Sequence, residues 1–173
     1  MDKRGLNNLL VKVSDGDEVA FEKLYMETSK GIYALIYPYF HNREDTEDAL
    51  QEIYMRIKDK VHLYKKGTDA RSWIFQLAKN HALNKLRDKT RNTDFISEDD
   101  QTKISSDYQN KSLDKTMFIL MQKVLTEEEY EIVIRYILMG YKHREIAIEL
   151  NIPLGTVLYK YQNALQKIRK ELE

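Results

Sequence analysis

Cysteine is absent from all 173 residues. That excludes a disulfide framework, a thiolate metal site and a cysteine nucleophile. Proline occurs twice and glycine six times, and β-branched runs are scarce, so the chain is expected to be helical throughout. No stretch approaches the ~18 consecutive apolar residues a membrane span needs. The polar start, Met1 to Asn8, lacks the apolar core of a secretory leader. A cytoplasmic protein without direct membrane insertion is the expectation. Net charge is absent too, 28 Lys and Arg offsetting 28 Asp and Glu, whereas a DNA-binding domain is often basic overall. The four histidines, His41, His62, His81 and His143, show no metal-ligand pair spacing. Neither a phosphate loop nor a nucleophile elbow occurs. No catalytic site, cofactor or metal is expected.

What is there is an ordinary soluble composition, 42% hydrophobic and 32% charged, with enough apolar material for packed cores. Charge is segregated by segment. From Arg71 to Arg91 six basic residues face the single acid Asp88, whereas residues 92–112 hold five acids and two bases. The run Asn92 to Asn110 is polar, acidic and without apolar period. It is too long for an ordinary internal loop and reads as a flexible linker. The fold class follows: all-α, with a helical domain at 1–91, an acidic linker at 92–111 and a second small helical domain at 112–173. A long surface loop inside one domain is the competing reading.

Helical periodicity places four helices in the first domain, near 6–13, from Asp17 as N-cap to Pro38 and the His41-Asn42 pair, 44–63, and 70–90. In the third, Leu50, Ile53, Tyr54, Ile57 and Val61 make one apolar stripe. Four more helices are expected near 112–124, 126–139, 143–150 and 154–172. Thr126 with Glu129 is a capping-box pattern.

The most specific local signal lies between His143 and Gln162. Glu145, Ile146, Ala147 and Leu150 form a short helix whose small Ala147 admits a crossing helix. Asn151 stands where the chain must turn sharply, and Asn tolerates the left-handed conformation better than most residues. Ile152 points inward and Pro153 fixes the turn. A second helix starts near Gly155 and Thr156, with Val157, Tyr161, Leu165, Ile168 and Leu172 as its buried face. Thr156, Tyr159, Lys160, Asn163 and Lys167 are expected on the solvent face. That is a helix-turn-helix, able to enter a major groove with its N-terminal residues nearest the bases. Arg144, Gly155, Thr156, Tyr159, Lys160 and Asn163 are the candidate DNA contacts. A helical hairpin with a solvated polar face has the same pattern.

The helix from Arg71 carries a second signal. Gln76, Asn80, Asn84, Arg87 and Arg91 are spaced 4, 4, 3 and 4 and form one polar stripe without an acid, while Trp73, Ile74, Leu77 and Ala78 lie toward the other side. Asn reads bases and Arg holds phosphates in many DNA interfaces. With Lys79, these residues form a second candidate contact, against the plain alternative of a solvated face. The preceding helix opens on Glu44, Asp45, Glu47, Asp48 and Glu52. The macrodipole favours acids there, and a basic partner surface would too; composition does not separate the two.

At these residues the chain resembles bacterial sigma-70 family sigma factors of the small, two-domain extracytoplasmic-function group, over nearly its whole length. Ala20-Phe21-Glu22-Lys23-Leu24-Tyr25 is similar to the opening of region 2. Glu47-Asp48-Ala49-Leu50-Gln51-Glu52-Ile53-Tyr54 is similar to its polymerase-binding motif. Trp73-Ile74 and Ala78-Lys79-Asn80 with Leu86-Arg87 resemble the helix that reads the −10 element. Glu145-Ile146-Ala147 through Gly155-Thr156-Val157 resembles the region 4 motif that reads the −35 element. The resemblance implies a transcription initiation factor whose partners are core RNA polymerase, through its clamp helices and flap, promoter DNA, and an anti-sigma factor. Glu47, Asp48, Gln51 and Glu52 would dock on the clamp helices. The turn from Leu63 to Asp69 would capture a flipped base, which costs a few kcal/mol of unstacking. Gln76, Lys79, Asn80, Asn84, Arg87 and Arg91 would face the −10 element. The acidic linker would thread the polymerase channels. The chain departs from the pattern in a recognition helix where Lys160 is the only cation among Leu158, Tyr159, Lys160, Asn163 and Leu165. It departs again at Asn84, where the family often has an acid, and at Asn151, where it usually has glycine. A stand-alone helix-turn-helix regulator and a helical adaptor that binds only proteins are the competing functions.

Overall fold

The computed structural model describes residues 3–93 and 113–172. The described elements are all helical. They are α1 (Lys3–Ser14), α2 (Glu18–Phe40), α3 (Arg43–Lys60), a 3-10 turn (Val61–Leu63), α4 (Ala70–Thr93), α5 (Leu113–Val124), α6 (Glu127–Ile137), α7 (His143–Glu149) and α8 (Leu154–Leu172). The expected linker begins inside α4, which runs on to Thr93; its remainder lies outside the described residues.

Local chemistry sets the helix ends. Asp17 caps α2 by accepting from the Ala20 amide at 3.0 Å. Asn42 caps α3 by accepting from the Asp45 amide at 2.8 Å. Thr126 and Glu129 close the expected capping box on α6. Each such cap satisfies an amide that the helix itself leaves without a partner.

Of the expected stop at Pro38 and the His41-Asn42 pair, the pair is where α2 ends, and Pro38 does not end it. It sits inside the last turn, and the helix stops two residues on, where His41 turns left-handed at φ 57°. A proline removes the amide that would bond the carbonyl four residues back. Here that carbonyl belongs to Ala34, and the Tyr130 hydroxyl of α6 donates to it at 2.8 Å. The proline is tolerated because the orphaned acceptor has another donor.

In the N-terminal half, α1 lays Leu6, Leu9, Leu10 and Val13 on α2, and α3 adds Ala49, Leu50, Ile53, Tyr54 and Ile57. Full burial of one such Leu or Ile is worth about 1.5–3 kcal/mol. Thr28 donates to the Leu24 carbonyl at 2.7 Å and pairs with the Tyr54 hydroxyl at 2.7 Å, which ties α2 to α3. In the C-terminal half, α6 packs on α8, and α7 crosses α8.

The buried residues of both halves form one contiguous core. The join is α2 against α6. A Cβ on Gly31 would lie 3.4 Å from Met139 Cγ and 3.6 Å from Phe75 Cζ, so a residue without a side chain allows the close approach. The rings of Tyr33 and Phe118 meet at 6.4 Å. Arg71, at the start of α4, is 5% exposed. It donates to the carbonyls of Gly140 at 2.7 Å and Met139 at 3.5 Å, and its guanidinium lies 4.4 Å from the Tyr141 ring centroid.

Candidate nucleic-acid interface

The short α7, the turn and α8 make the expected helix-turn-helix. Asn151 occupies the left-handed region at φ 53°. The amides of Thr156 and Val157 both donate to the Pro153 carbonyl, at 3.0 and 3.2 Å, so the proline starts α8. Ile146 and Val157 are fully buried at the crossing, and Ile152 packs against the core.

The outward surface differs from the expected one. Arg144, Gly155 and Tyr159 are exposed, and Thr156 is half-buried. Lys160 reaches Glu128 at 2.6 Å. Asn163 does not face outward: its amide donates to Glu129 at 2.8 Å, beside Lys167 at 2.7 Å. The buried face of α8 runs through Val157 and Ala164, with Tyr161 and Ile168 packed against the core. Leu165 and Leu172, expected inside, are exposed. Val157, Tyr161 and Ile168 keep the expected face, Ala164 rather than Leu165 completes it, and the carboxylate of Glu129 draws Asn163 and Lys167 toward α6. Burial raises the Glu129 carboxyl, but bonds from Lys167, the Thr126 amide and Asn163 outweigh it and hold the group below its usual range. Gln162, exposed one turn beyond Tyr159, belongs to the outward surface. Its spacing of three from Tyr159 was the available signal.

On α4 the expected stripe is present: Gln76, Asn80, Asn84, Arg87 and Arg91 are exposed, with Gln76 donating to Asn80 at 3.0 Å. Lys79 lies off the stripe and bonds both oxygens of Glu131 at 3.1 Å. Trp73 and Leu77 are half-buried and pack against the edge of the core. With Gln76, Asn80 and Asn84 they line an open cleft completed by Leu63, Thr68 and Asp69. Arg56 and Lys60, on the last turns of α3, line it too. Sequence reasoning missed both cations, although their i,i+4 spacing marks them as neighbours. Asn7 of α1 braces the turn, donating to the Thr68 carbonyl at 3.0 Å and accepting from the Ala70 amide at 3.0 Å. Tyr64 donates to the same carbonyl at 2.8 Å, and its ring meets that of Trp73 edge-on at 5.8 Å. The cleft therefore joins an aromatic wall, amide side chains and two cations, the groups that hold an unstacked base and its phosphate.

The acids of α3 divide into two sets. Glu47 bonds Arg43 at 2.7 Å, and Asp45 bonds Lys89 at 3.0 Å. Glu52 accepts from Lys85 at 2.7 Å and pairs with His81 at 2.8 Å. The Lys85 bond, reinforced by His81, holds the Glu52 carboxyl below its usual range. Burial lowers His81 despite Glu52 beside it. Asp48 and Gln51 are exposed, two turns and one turn before Met55, an apolar side chain left 68% exposed. Met55 extends the same face and was not among the candidates.

Comparison with known proteins bears on both halves. Residues 24–92 match the family model for sigma-70 region 2 and residues 120–168 that for sigma-70 region 4. Together they span more than half of the chain. The chain is 22% identical over 167 residues to the ECF RNA polymerase sigma factor SigX of Bacillus subtilis strain 168, covering 90% of this chain and 85% of SigX. Its fold is similar to CnrH solved with the cytosolic domain of CnrY, with TM-score 0.65, 14% identity, and 97% of each chain covered. It is also similar to RpoE solved with the anti-sigma factor NepR from Bartonella quintana, with TM-score 0.61, 16% identity, and 88% of this chain and 96% of that one covered.

Proposed function

The chain belongs to the extracytoplasmic-function group of sigma-70 family RNA polymerase sigma factors, and we propose that it directs core polymerase to promoters through three separate faces. The carrying observation is the order of the two family regions along one chain, each falling on a surface suited to its part. The exposed face of α3, with Glu47, Asp48, Gln51, Glu52 and Met55, docks on polymerase. The cleft and stripe of α4, with Gln76, Asn80, Asn84, Arg87 and Arg91, take the opened −10 strand, and Arg56 and Lys60 hold its phosphates. Lys79 joins them once released from Glu131. The outward surface of the helix-turn-helix, with Arg144, Gly155, Thr156, Tyr159, Lys160 and Gln162, reads the −35 duplex. Residues 1–91 and 112–173 act as the two promoter-reading domains. The chain supplies recognition and no catalysis of its own.

No described helix is long and apolar enough to cross a membrane, and a promoter-binding role places the working protein in the cytoplasm. One of its structural relatives is bound to an anti-sigma factor. By that likeness this chain too is held by such a partner. The test mixes the full chain with core polymerase and a fork-junction promoter library. Promoter-specific run-off transcripts are expected. Tight duplex binding by the free chain, with none to polymerase, would favour a stand-alone regulator instead.

A further inference from the structure

We propose that His81 is a further strand-holding residue of the α4 cleft, taking up a proton as a phosphate enters and so becoming its third cation beside Arg56 and Lys60. The proposal rests on the sigma reading above, in which the cleft receives the opened strand. It adds that strand capture is linked to a proton.

Position comes first. Leu77, His81 and Asn84, each about one turn from the next on α4, line the cleft together with Arg56 and Lys60 of α3. The imidazole is otherwise enclosed, with 6% of the side chain exposed. Its Nε2 lies 2.8 Å from Glu52 Oε2, while Lys85 donates to Oε1 at 2.7 Å. The Lys85 bond favours the ionised carboxylate. An ionised Glu52 only accepts, so the neutral ring carries its proton on Nε2 and none on Nδ1. A proton added at Nδ1 from solvent makes an imidazolium that already faces a carboxylate. The bond to Glu52 need not break.

What opposes that charge in the free chain is burial first, then Arg56 and Lys85. Glu52 favours it but is outweighed, which holds the ring neutral at pH 7. The other elements packed on α4 add little charge beside it. Helix α1 meets the start of α4, with Asn7 at Ala70. From Gly31, which meets Phe75, to its end at Phe40, α2 carries no Asp, Glu, His, Lys or Arg. Glu131 of α6 is committed to Lys79 and Arg135. Asp69 and Glu149 line the same cleft as anions. A strand phosphate on Arg56 removes that cation's opposition and adds a negative charge of its own, so the balance moves toward imidazolium. A group that is neutral in the free chain and charged in the complex makes affinity rise as pH falls, by up to about tenfold per pH unit for one proton. A histidine that only braced α4 on α3 would give no such slope.

His81→Gln separates the two roles, because the glutamine amide donates to Glu52 but takes up no proton. Labelled fork-junction DNA is titrated into the full chain bound to core polymerase, from about pH 8 to about pH 6, and followed by fluorescence anisotropy. The unaltered chain is expected to bind about threefold or more tighter for each pH unit of acidification, and His81→Gln to lose most of that gain. Parallel profiles overturn the proposal, since titration of the polymerase itself is common to both chains. Calorimetry in buffers of different ionisation enthalpy needs no change at His81. Proton uptake per bound strand is expected in the unaltered chain and equally in His62→Gln, which lacks the exposed imidazole beside Leu63. No uptake, or uptake lost with His62, overturns the proposal. Promoter-specific run-off checks the sigma reading separately. Should it fail, single-stranded DNA and the free chain carry the same two comparisons, and a chain that binds no strand overturns both.

Discussion

The hydroxyl of Tyr130 donates at 2.8 Å to the carbonyl of Ala34, the acceptor that Pro38 deprives of its helical amide. One residue type that disrupts α2 thus creates the polar anchor for α6. Tyr130→Phe leaves the carbonyl without that donor, and the expected cost is about 1–3 kcal/mol. In a Pro38→Ala background the helix supplies an amide again, so the same substitution should cost much less. Urea unfolding of the four chains of this cycle measures the coupling. Equal costs in both backgrounds would show that the two residues act independently.

Asn7 predicts a link between the first helix and the cleft. Asn7→Ala removes both the brace on Thr68 and the cap on the Ala70 amide, at an expected cost of about 1 kcal/mol. Trp73 is the only tryptophan and packs against Tyr64 of the same turn. Its fluorescence should therefore red-shift and become more open to acrylamide quenching. A stability loss with an unchanged Trp73 signal would mean that the turn does not depend on Asn7.

Asp48 is exposed on α3, so reversing its charge has little structural cost, while a basic partner would feel it fully. Asp48→Arg should weaken core polymerase binding at least tenfold with an unchanged circular dichroism spectrum. Unaltered binding would remove Asp48 from the docking face.

Lys160 is held by Glu128 at 2.6 Å, which blunts its reach for DNA. Lys160→Ala should lower the slope of log affinity against log salt on −35 duplex by about one, and Glu128→Gln should tighten the same binding. A slope that ignores Lys160 would mean that it touches no phosphate.

Acid should loosen the fold in two stages. Burial depresses His81 below its ordinary 6.5, so its contribution is present above that pH and is lost as pH falls through the depressed value. Glu131 follows at lower pH. Burial raises it, but bonding and charge from Arg135, with Lys79, hold it below 4.5. Its share is present above 4.5 and is lost as pH falls through the lowered value. Thermal melts across the acid range should show His81→Gln flattening only the upper stage. A melting temperature independent of pH between 7 and the carboxylate range would count against the His81 contribution.

The helices were legible because their signals are local. Caps at Asp17 and Thr126, the left-handed Asn151 and the Ile146–Val157 crossing all follow from neighbours within a few residues. Pro38 misled because the donor that rescues its helix lies on α6, far along the chain. Asn163 misled because apolar periodicity does not register a buried carboxylate such as Glu129. Lys79 was legible as a cation of α4 but not as the partner of Glu131, since an ion pair between distant segments leaves no periodic trace. The cleft was legible in its turn and stripe, while Arg56 and Lys60 enter it only through the packing of α3 on α4.

Three carboxylates that bond α4, those of Glu131 to Lys79, Glu145 to Arg71 and Glu149 to Ser72, come late in synthesis. Glu131, Glu145 and Glu149 follow their partners by 52, 74 and 77 residues, whereas Glu52 and Asp45 precede theirs on the same helix. At roughly 5–20 residues per second, a nascent chain carries Arg71 and Lys79 for several seconds before those acids exist. Lys85 and Lys89 never lack their acids, which were made first. The N-terminal half therefore leaves the ribosome with Lys85 and Lys89 already paired, while Arg71 and Lys79 still wait for Glu145 and Glu131.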